Sequence, residues 1–225
     1  MNSLLRDSAA HVFVSDLSLP QLSSDDAHHL KKVLRLRDGE SVSCSDGKGQ
    51  WRLCQWASDS LEIVGDIVVE ATPATHLCVA VAPVKGDRTD LVVEKLVEVG
   101  VDTIAILAPL ERSVVRWSGD KVDHVMDRYR RIAKAASMQS RRVYLPAVNG
   151  PVSLADLGSQ HVAFAEPGGT AEWSQVTTVV IGPEGGFSEK ELGSAPATID
   201  VGPNILRAET AAIVAAAQMV AHWRR

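Results

Sequence analysis

Residues 179–192 read VVIGPEGGFSEKEL, an apolar β-run that breaks into a glycine-rich turn and restarts as a helix. Val179, Val180 and Ile181 are β-branched and continuous, the pattern of a strand covered on both faces. Gly182-Pro183 ends that strand, because proline has no N–H for the ladder. Gly185 and Gly186 lack side chains, so their backbone groups can come close to a bound molecule. Ser188 and Glu191 have capping-box spacing and place a helix start at Ser188. The turn holds no lysine and is crowded by Glu184, Glu189 and Glu191, which disfavours a phosphate loop. The GxGxxG dinucleotide pattern is absent too. A ligand with an adenine edge and a charge near zero or positive, such as a sulfonium nucleoside, suits these neutral contacts. The alternative is that Gly-Pro turns merely end strands and the acids favour the next helix dipole.

Twenty residues on, TIDV ends in a second Gly-Pro turn, Gly202-Pro203, so one ligand can touch both corners. The continuation VGPNILRAETAA (201–212) places Ile205, Leu206, Arg207, Glu209 and Thr210 between a strand end and an alanine-rich helix. An arginine at a helix N-terminus opposes the dipole unless it meets an anion. Glu209 as a salt-bridge partner, a phosphate, or a base carbonyl each satisfies Arg207. Ala211, Ala212, Ala215, Ala216 and Ala217 permit a close helix crossing or a subunit contact, and helix propensity alone also accounts for them.

Around these turns strands and helices alternate. HLCVAVAP (76–83), VDTIAILAP (101–109), HVAFAEP (161–167), TTVVIGP (177–183) and ATIDVGP (197–203) read as strands. KGDRTDLVVEKLVEVG (85–100) reads as a helix from an Asp87 N-cap to Gly100. A long helix is expected over 120–139 and a last one over 209–223. The alternation predicts an α/β fold with a mostly parallel sheet and helices on both faces, whose ligand sits beyond the carboxyl ends of the strands.

The first seventy residues instead read as a small β unit suited to a compact barrel. His11–Val14 is a short strand, and Ser24 is the expected N-cap of a helix with Leu30, Val33 and Leu34 along one face. A hairpin follows through the turn DGKG (46–49), with a third strand over 61–69. Trp51 and Trp56 lie on the hairpin, as packing aromatics or as base-stacking platforms. Pro73 marks the boundary, which divides the chain into 1–71 and 72–225.

With 225 residues, 45% of them hydrophobic, the chain is long enough for a substantial core. The start lacks a signal-peptide pattern and no apolar run reaches membrane-spanning length, so a cytoplasmic protein is expected. Cys44, Cys54 and Cys78 are too dispersed for a zinc cluster or a disulfide framework, so no metal is expected. A net charge of −5 argues against indiscriminate nucleic-acid binding. Basic residues nevertheless cluster, as Lys31, Lys32, Arg35 and Arg37; Arg112 and Arg116; Arg128, Arg130, Arg131 and Lys134; and Arg141 with Arg142. Each cluster reads as a solvated face or as part of a segregated basic surface.

The segments KGDRTDLVVEKLVEVG, ERSVVR, QSRR, IGPEGGFSEKEL and VGPNILRAETAA, in that order after a small β domain, resemble the RsmE family of ribosomal RNA methyltransferases, within the SPOUT superfamily. The resemblance implies a C-terminal domain tied in a trefoil knot, a PUA-like N-terminal barrel that helps bind RNA, and a homodimer. It implies methyl transfer from S-adenosylmethionine to N3 of a uridine in small-subunit ribosomal RNA, free or in an assembled 30S particle. By position it assigns the cofactor to Ala165, Glu166, Gly182, Pro183, Glu184, Gly185, Gly186, Val201, Gly202, Ile205, Leu206 and Ala211. Arg207, Arg112 and Glu209 become candidate catalytic residues, the arginines stabilising a uracil anion and Glu209 orienting an arginine or relaying the proton. Lys31, Arg35, Arg37, Arg116 and Arg142 are candidate RNA contacts, with no metal and no membrane. Met138 and Asn204 depart from the family pattern. Methylation of a tRNA or rRNA ribose, and non-catalytic RNA binding in ribosome assembly, stand as alternatives.

Overall fold

The computed structural model describes residues 2–224. Its contacts gather Met1–Thr72 with Ser137–Leu145 into one unit, and Pro73–Ala136 with Pro146–Arg225 into a second.

In the first unit, helix α1 (Ser3–Asp7) precedes a five-stranded sheet. Its strands are β1 (Ala10–Phe13), β2 (Ser41–Ser45), β3 (Gln50–Ala57), β4 (Ser60–Ile63) and β5 (Val68–Val69). β1 and β2 run parallel, and β3 pairs antiparallel with β2, β4 and β5. The hairpin turn forms as expected: Asp46 Oδ1 accepts the amides of Lys48 (2.7 Å) and Gln50 (3.1 Å), and Gly47 and Gly49 adopt positive φ. Trp51 and Trp56 are buried, which selects packing over base stacking.

The expected third strand is broken at Gly65, whose carbonyl accepts from Arg52 Nε (3.1 Å) and Nη2 (2.6 Å) and so turns away from the ladder. Helix α2 (Ser24–His28) is capped by Ser23 rather than Ser24, with Ser23 Oγ accepting the Asp26 amide. A π-helical turn over His29–Val33 follows. It widens the helix by a residue and rotates the apolar stripe, so Leu30 is buried while Val33 and Leu34 face solvent.

Ser137–Leu145 joins this unit through backbone acceptors. Val143 O takes Ser45 Oγ (3.0 Å) and Gly49 N (3.1 Å). Arg141 donates to Ser8 O (2.8 Å), and Arg142 O accepts from His11 Nε2 (3.0 Å). That last bond fixes Nε2 as the protonated nitrogen, leaving Nδ1 to accept from Ser43 Oγ at 2.8 Å. Burial pushes the His11 pKa down to about 4.

The second unit is built on a six-stranded, all-parallel sheet in the order β11-β9-β10-β6-β7-β8. These strands are β6 (Cys78–Val81), β7 (Thr103–Leu107), β8 (Ala147–Val152), β9 (Val162–Ala165), β10 (Thr178–Ile181) and β11 (Thr198–Ile199). The helices are α3 (Arg88–Val99), α4 (Gly119–Gln139), α5 (Glu189–Gly193) and α6 (Ala208–Trp223). Both faces of the sheet are covered, which is why the strands read as unbroken apolar runs. Val79, Val81, Ile104, Val179 and Ile181 belong to one core, while Ala80, Ala105, Phe164 and Val180 belong to the core on the opposite face. Gly100 ends α3 in the left-handed conformation, as expected. Ala212, Ala215 and Ala216 are fully buried, and α6 packs on α3, so the alanines serve a close crossing within the chain. The sequence AVNGPV carries no strand pattern, yet it forms β8. As an edge strand it can accommodate Pro151 without breaking a central ladder. Among the described residues no helix is long and apolar enough to cross a membrane.

The strand order sets the carboxyl ends of β11, β9, β10 and β6 side by side. The turns leaving these strands therefore share one edge of the sheet.

Candidate functional site

A cavity of about 660 Å³ opens at that edge. It is walled by 165–167 after β9, 181–187 after β10 and residues between 200 and 208 after β11, with Arg88, Arg112 and Ala211. Every residue that the resemblance assigns to a cofactor lines it, from Ala165 to Ala211, as do the candidate catalytic residues Arg112 and Arg207.

The turn after β10 is shaped by its glycines. Gly186 N donates to Pro183 O at 2.9 Å, and Gly186 has φ +70°, which favours glycine. A Cβ on Gly182 would press on the Phe187 ring at 3.1 Å, and one on Gly185 would meet Arg112 Cβ at 3.1 Å. Ser188 and Glu191 form the expected capping box, with Ser188 N donating to Glu191 Oε2 (2.8 Å) and Glu191 N to Ser188 Oγ (3.2 Å). The second Glu191 oxygen accepts the Glu111 amide at 2.9 Å, joining the loop after β7 to this turn. From that loop Arg112 Nη1 donates to Phe187 O (2.9 Å) and Gly185 O (3.2 Å). Arg112 thus braces the turn.

The wall after β11 is organised by Asp200. Its Oδ1 accepts Gly202 N (2.9 Å) and its Oδ2 accepts Gly168 N (3.1 Å), and these amides hold the carboxyl below the usual range. Ile205 is 90% exposed at the rim, whereas Leu206 is half-buried.

Arg207 occupies the N-cap position of α6 with extended backbone, and its side chain makes no cap. Glu209 is not its partner. Glu209 Oε1 accepts instead from Arg88 Nη1 at 3.3 Å, and Glu209 lies outside the cavity lining. The reason is geometric: Glu209 lies inside the first turn of α6, while Arg207 still belongs to the extended segment before it. Among the described residues Arg207 makes no side-chain hydrogen bond or ion pair, so an exposed guanidinium faces the cavity. The lining balances three arginines, Arg88, Arg112 and Arg207, against Glu166, Glu184 and Asp200. A nearly neutral cradle of backbone edges results.

The candidate RNA contacts lie elsewhere. Lys31 pairs with Asp59, and Arg35 and Arg37 belong to the first unit, Arg35 with φ +56°. Arg116 Nη2 donates to Leu110 O and Glu111 O, each at 3.1 Å, holding the loop after β7. Arg142 sits half-buried in the first unit. Sequence reasoning missed Arg88, Pro167, Phe187 and Asp200 as cavity residues. Arg88 was findable, since an arginine at the start of a helix opposes the dipole just as Arg207 does. Asp200 carried no signal until the turn after β9 was placed beside it.

Residues 71–220 match the RNA methyltransferase domain family, and residues 22–59 match the RNA methyltransferase PUA domain. Fold and cavity therefore belong to an RNA methyltransferase, with an α/β domain following a PUA-like one. Ribosomal RNA small subunit methyltransferase E of a Synechocystis species is 30% identical, the match covering 88% of this chain and 71% of that protein. The enzyme of the same name from Bacillus subtilis is 28% identical, over 86% of each chain. A methyltransferase of Legionella pneumophila, solved with the bound cofactor SAM, superposes with a TM-score of 0.81 at 26% identity, covering 94% of this chain and 97% of its own. The chain belongs to the ribosomal RNA small subunit methyltransferase E family.

Proposed function

We propose that the protein transfers a methyl group from S-adenosylmethionine to N3 of a uridine in small-subunit ribosomal RNA. The observation that carries this is the unpartnered Arg207 guanidinium on a cavity otherwise formed by glycine-rich strand ends. At about 660 Å³ the cavity falls within the range of nucleoside-sized sites. Its balanced charge and its backbone N–H and C=O edges fit a cofactor that carries an adenine and a sulfonium.

The turn at 182–186, Val201, Gly202, Ile205, Leu206, Ala165, Glu166 and Ala211 would hold that cofactor. When bound, it supplies an electrophilic methyl carbon. N3 of uracil bears a weakly acidic proton between two carbonyls; its loss to solvent spreads negative charge onto O2 and O4, and N3 would then take the methyl as the carbon–sulfur bond breaks. Arg207 donates hydrogen bonds to those oxygens, favouring the anion and keeping it in place. Arg112 acts one step back, since its guanidinium already serves Gly185 O and Phe187 O and fixes the cofactor turn. Glu209 acts through Arg88 rather than on the base.

N3 lies on the pairing edge, so the target uridine enters unpaired or extruded from its helix. Lys31, Arg35, Arg37 and Arg142, all in the first unit, hold RNA phosphates, and Arg116 adds a contact from the second. Domains at 1–71 and 72–225, with 137–145 gathered into the first unit, a trefoil-knotted sheet, a homodimer, a cytoplasmic location and a substrate as large as the 30S particle complete the proposal.

The test is nuclease digestion and mass mapping of small-subunit RNA from a deletion strain, incubated both as free RNA and as intact 30S particles with purified protein and S-adenosylmethionine. One methyl on a uracil base at N3 is the expected product. A methyl on a ribose, or cofactor binding with no transfer to this RNA, would sink the proposal.

A further inference from the structure

We propose that Arg88 is a positioning residue, holding the turn at 182–186 and the first turn of α6 at a fixed separation and thereby aiming Arg207. This rests on the function proposed above only for its catalytic consequence. Arg88 opens α3, where its charge opposes the helix dipole, and its guanidinium makes two hydrogen bonds and one longer ion pair. Nε donates to Lys85 O at 3.1 Å, Nη1 donates to Glu209 Oε1 at 3.3 Å, and Nη2 lies 3.8 Å from Glu184 Oε1. Glu184 Oε1 also accepts the Lys85 amide at 3.0 Å. Three segments therefore meet on one planar group: the loop between β6 and α3, the turn after β10, and the start of α6.

The cluster contains two carboxylates and one guanidinium. Glu209 is the most enclosed member, its side chain 12% exposed against 37% for Arg88, and its Oε2 is buried with no hydrogen-bond partner. Glu209 thus has Arg88 as its one tether in this cluster, and without Arg88 an enclosed carboxylate would lose its counter-charge and turn outward. Arg207 lies two residues before Glu209, its carbonyl accepts the Ala211 amide at 2.8 Å, and among the described residues its side chain makes no hydrogen bond or ion pair, so its direction follows the first turn of α6. A lysine at 88 keeps the charge but cannot present the same planar fork to Lys85 O, Glu209 and Glu184 together.

The experiment compares Arg88→Met, Glu209→Gln and the double variant in the full chain, with Arg88→Lys as the conservative control. Without cofactor, hydrogen exchange of amides within 182–187 and 208–211 is expected to rise roughly tenfold in Arg88→Met and no further in the double variant. Unchanged exchange in Arg88→Met, or effects that multiply in the double variant, would overturn the proposal. Single-turnover methyl transfer is expected to fall on the order of 30-fold in Arg88→Met, while S-adenosylmethionine Kd changes by less than about threefold, because misaiming harms the transition state more than binding. Arg88→Lys is expected to fold as the parent does and to remain about tenfold slow. Full recovery by lysine would reduce Arg88 to a bare charge and overturn the geometric claim. A parent protein that binds no S-adenosylmethionine but shows the coupled exchange pattern would defeat the proposed function and leave the Arg88 assignment standing.

Discussion

Asp200 Oδ2 lies 3.1 Å from Gly168 N, and this contact joins the turn after β11 to the turn after β9, both of which wall the cavity. The other Asp200 oxygen accepts Gly202 N at 2.9 Å, so one carboxylate sets the spacing of two walls. Asp200→Ala should therefore raise the Kd for S-adenosylmethionine roughly tenfold, equivalent to about 1.4 kcal/mol. Asp200→Asn, which keeps one acceptor, should fall between. Calorimetric titration reads both, and parental affinity in the alanine variant would show that the walls hold their spacing without Asp200.

Arg207 and Arg112 should separate kinetically. Arg207→Ala is expected to lower single-turnover transfer by about 100-fold or more with cofactor Kd nearly unchanged, because its hydrogen bonds form to charge that develops during reaction. Arg112→Ala removes the donor to Gly185 O and Phe187 O, so it should weaken cofactor binding first. The two profiles coming out the same, in rapid-quench kinetics beside binding titrations, would contradict this division of labour.

Gly186 offers a conformational test. A Cβ there meets nothing within 4 Å, so the cost of adding one comes from φ +70° alone. Gly186→Ala should destabilise the turn by about 1–2 kcal/mol, and Gly186→Asn by less, because asparagine tolerates the left-handed region. Denaturant unfolding of both variants checks the order. An alanine as harmless as asparagine would mean that the turn relaxes to another conformation.

His11 sets a pH dependence for the first unit. Its folded pKa is depressed to about 4 from the ordinary 6.5, so the unfolded chain binds the extra proton between those values. The contribution of neutral His11 is fully present above pH 6.5 and is lost as pH falls toward 4, by roughly 3 kcal/mol in all. His11→Gln should flatten the stability slope in that window, as followed by urea unfolding at stepped pH. A slope that survives the substitution would assign it to other groups.

The local grammar of the chain was legible without coordinates. Apolar runs ending in Gly-Pro marked strands covered on both faces, the Ser188–Glu191 spacing marked a cap, and Gly100 marked a helix stop, because each depends on residues only a few positions apart. Misplacements arose where a distant partner intervened. Arg52 pulls on Gly65 and divides a strand, a π-helical turn rotates Val33 and Leu34 outward, and an edge position lets AVNGPV pair as β8.

Partner choice among charged side chains lay beyond the sequence for the same reason. Glu209 stands two residues from Arg207, but the helix start turns it toward Arg88, 121 residues away, at 3.3 Å. Composition and spacing by themselves determined that two strands of a parallel sheet end in glycine-proline corners, with no lysine there for a phosphate. Only the tertiary structure decided which arginine braces the turn, which anchors the helix and which is left facing the cavity. Hydrogen-bond reach is about 3 Å, and chain separation says nothing about which groups a fold brings within it.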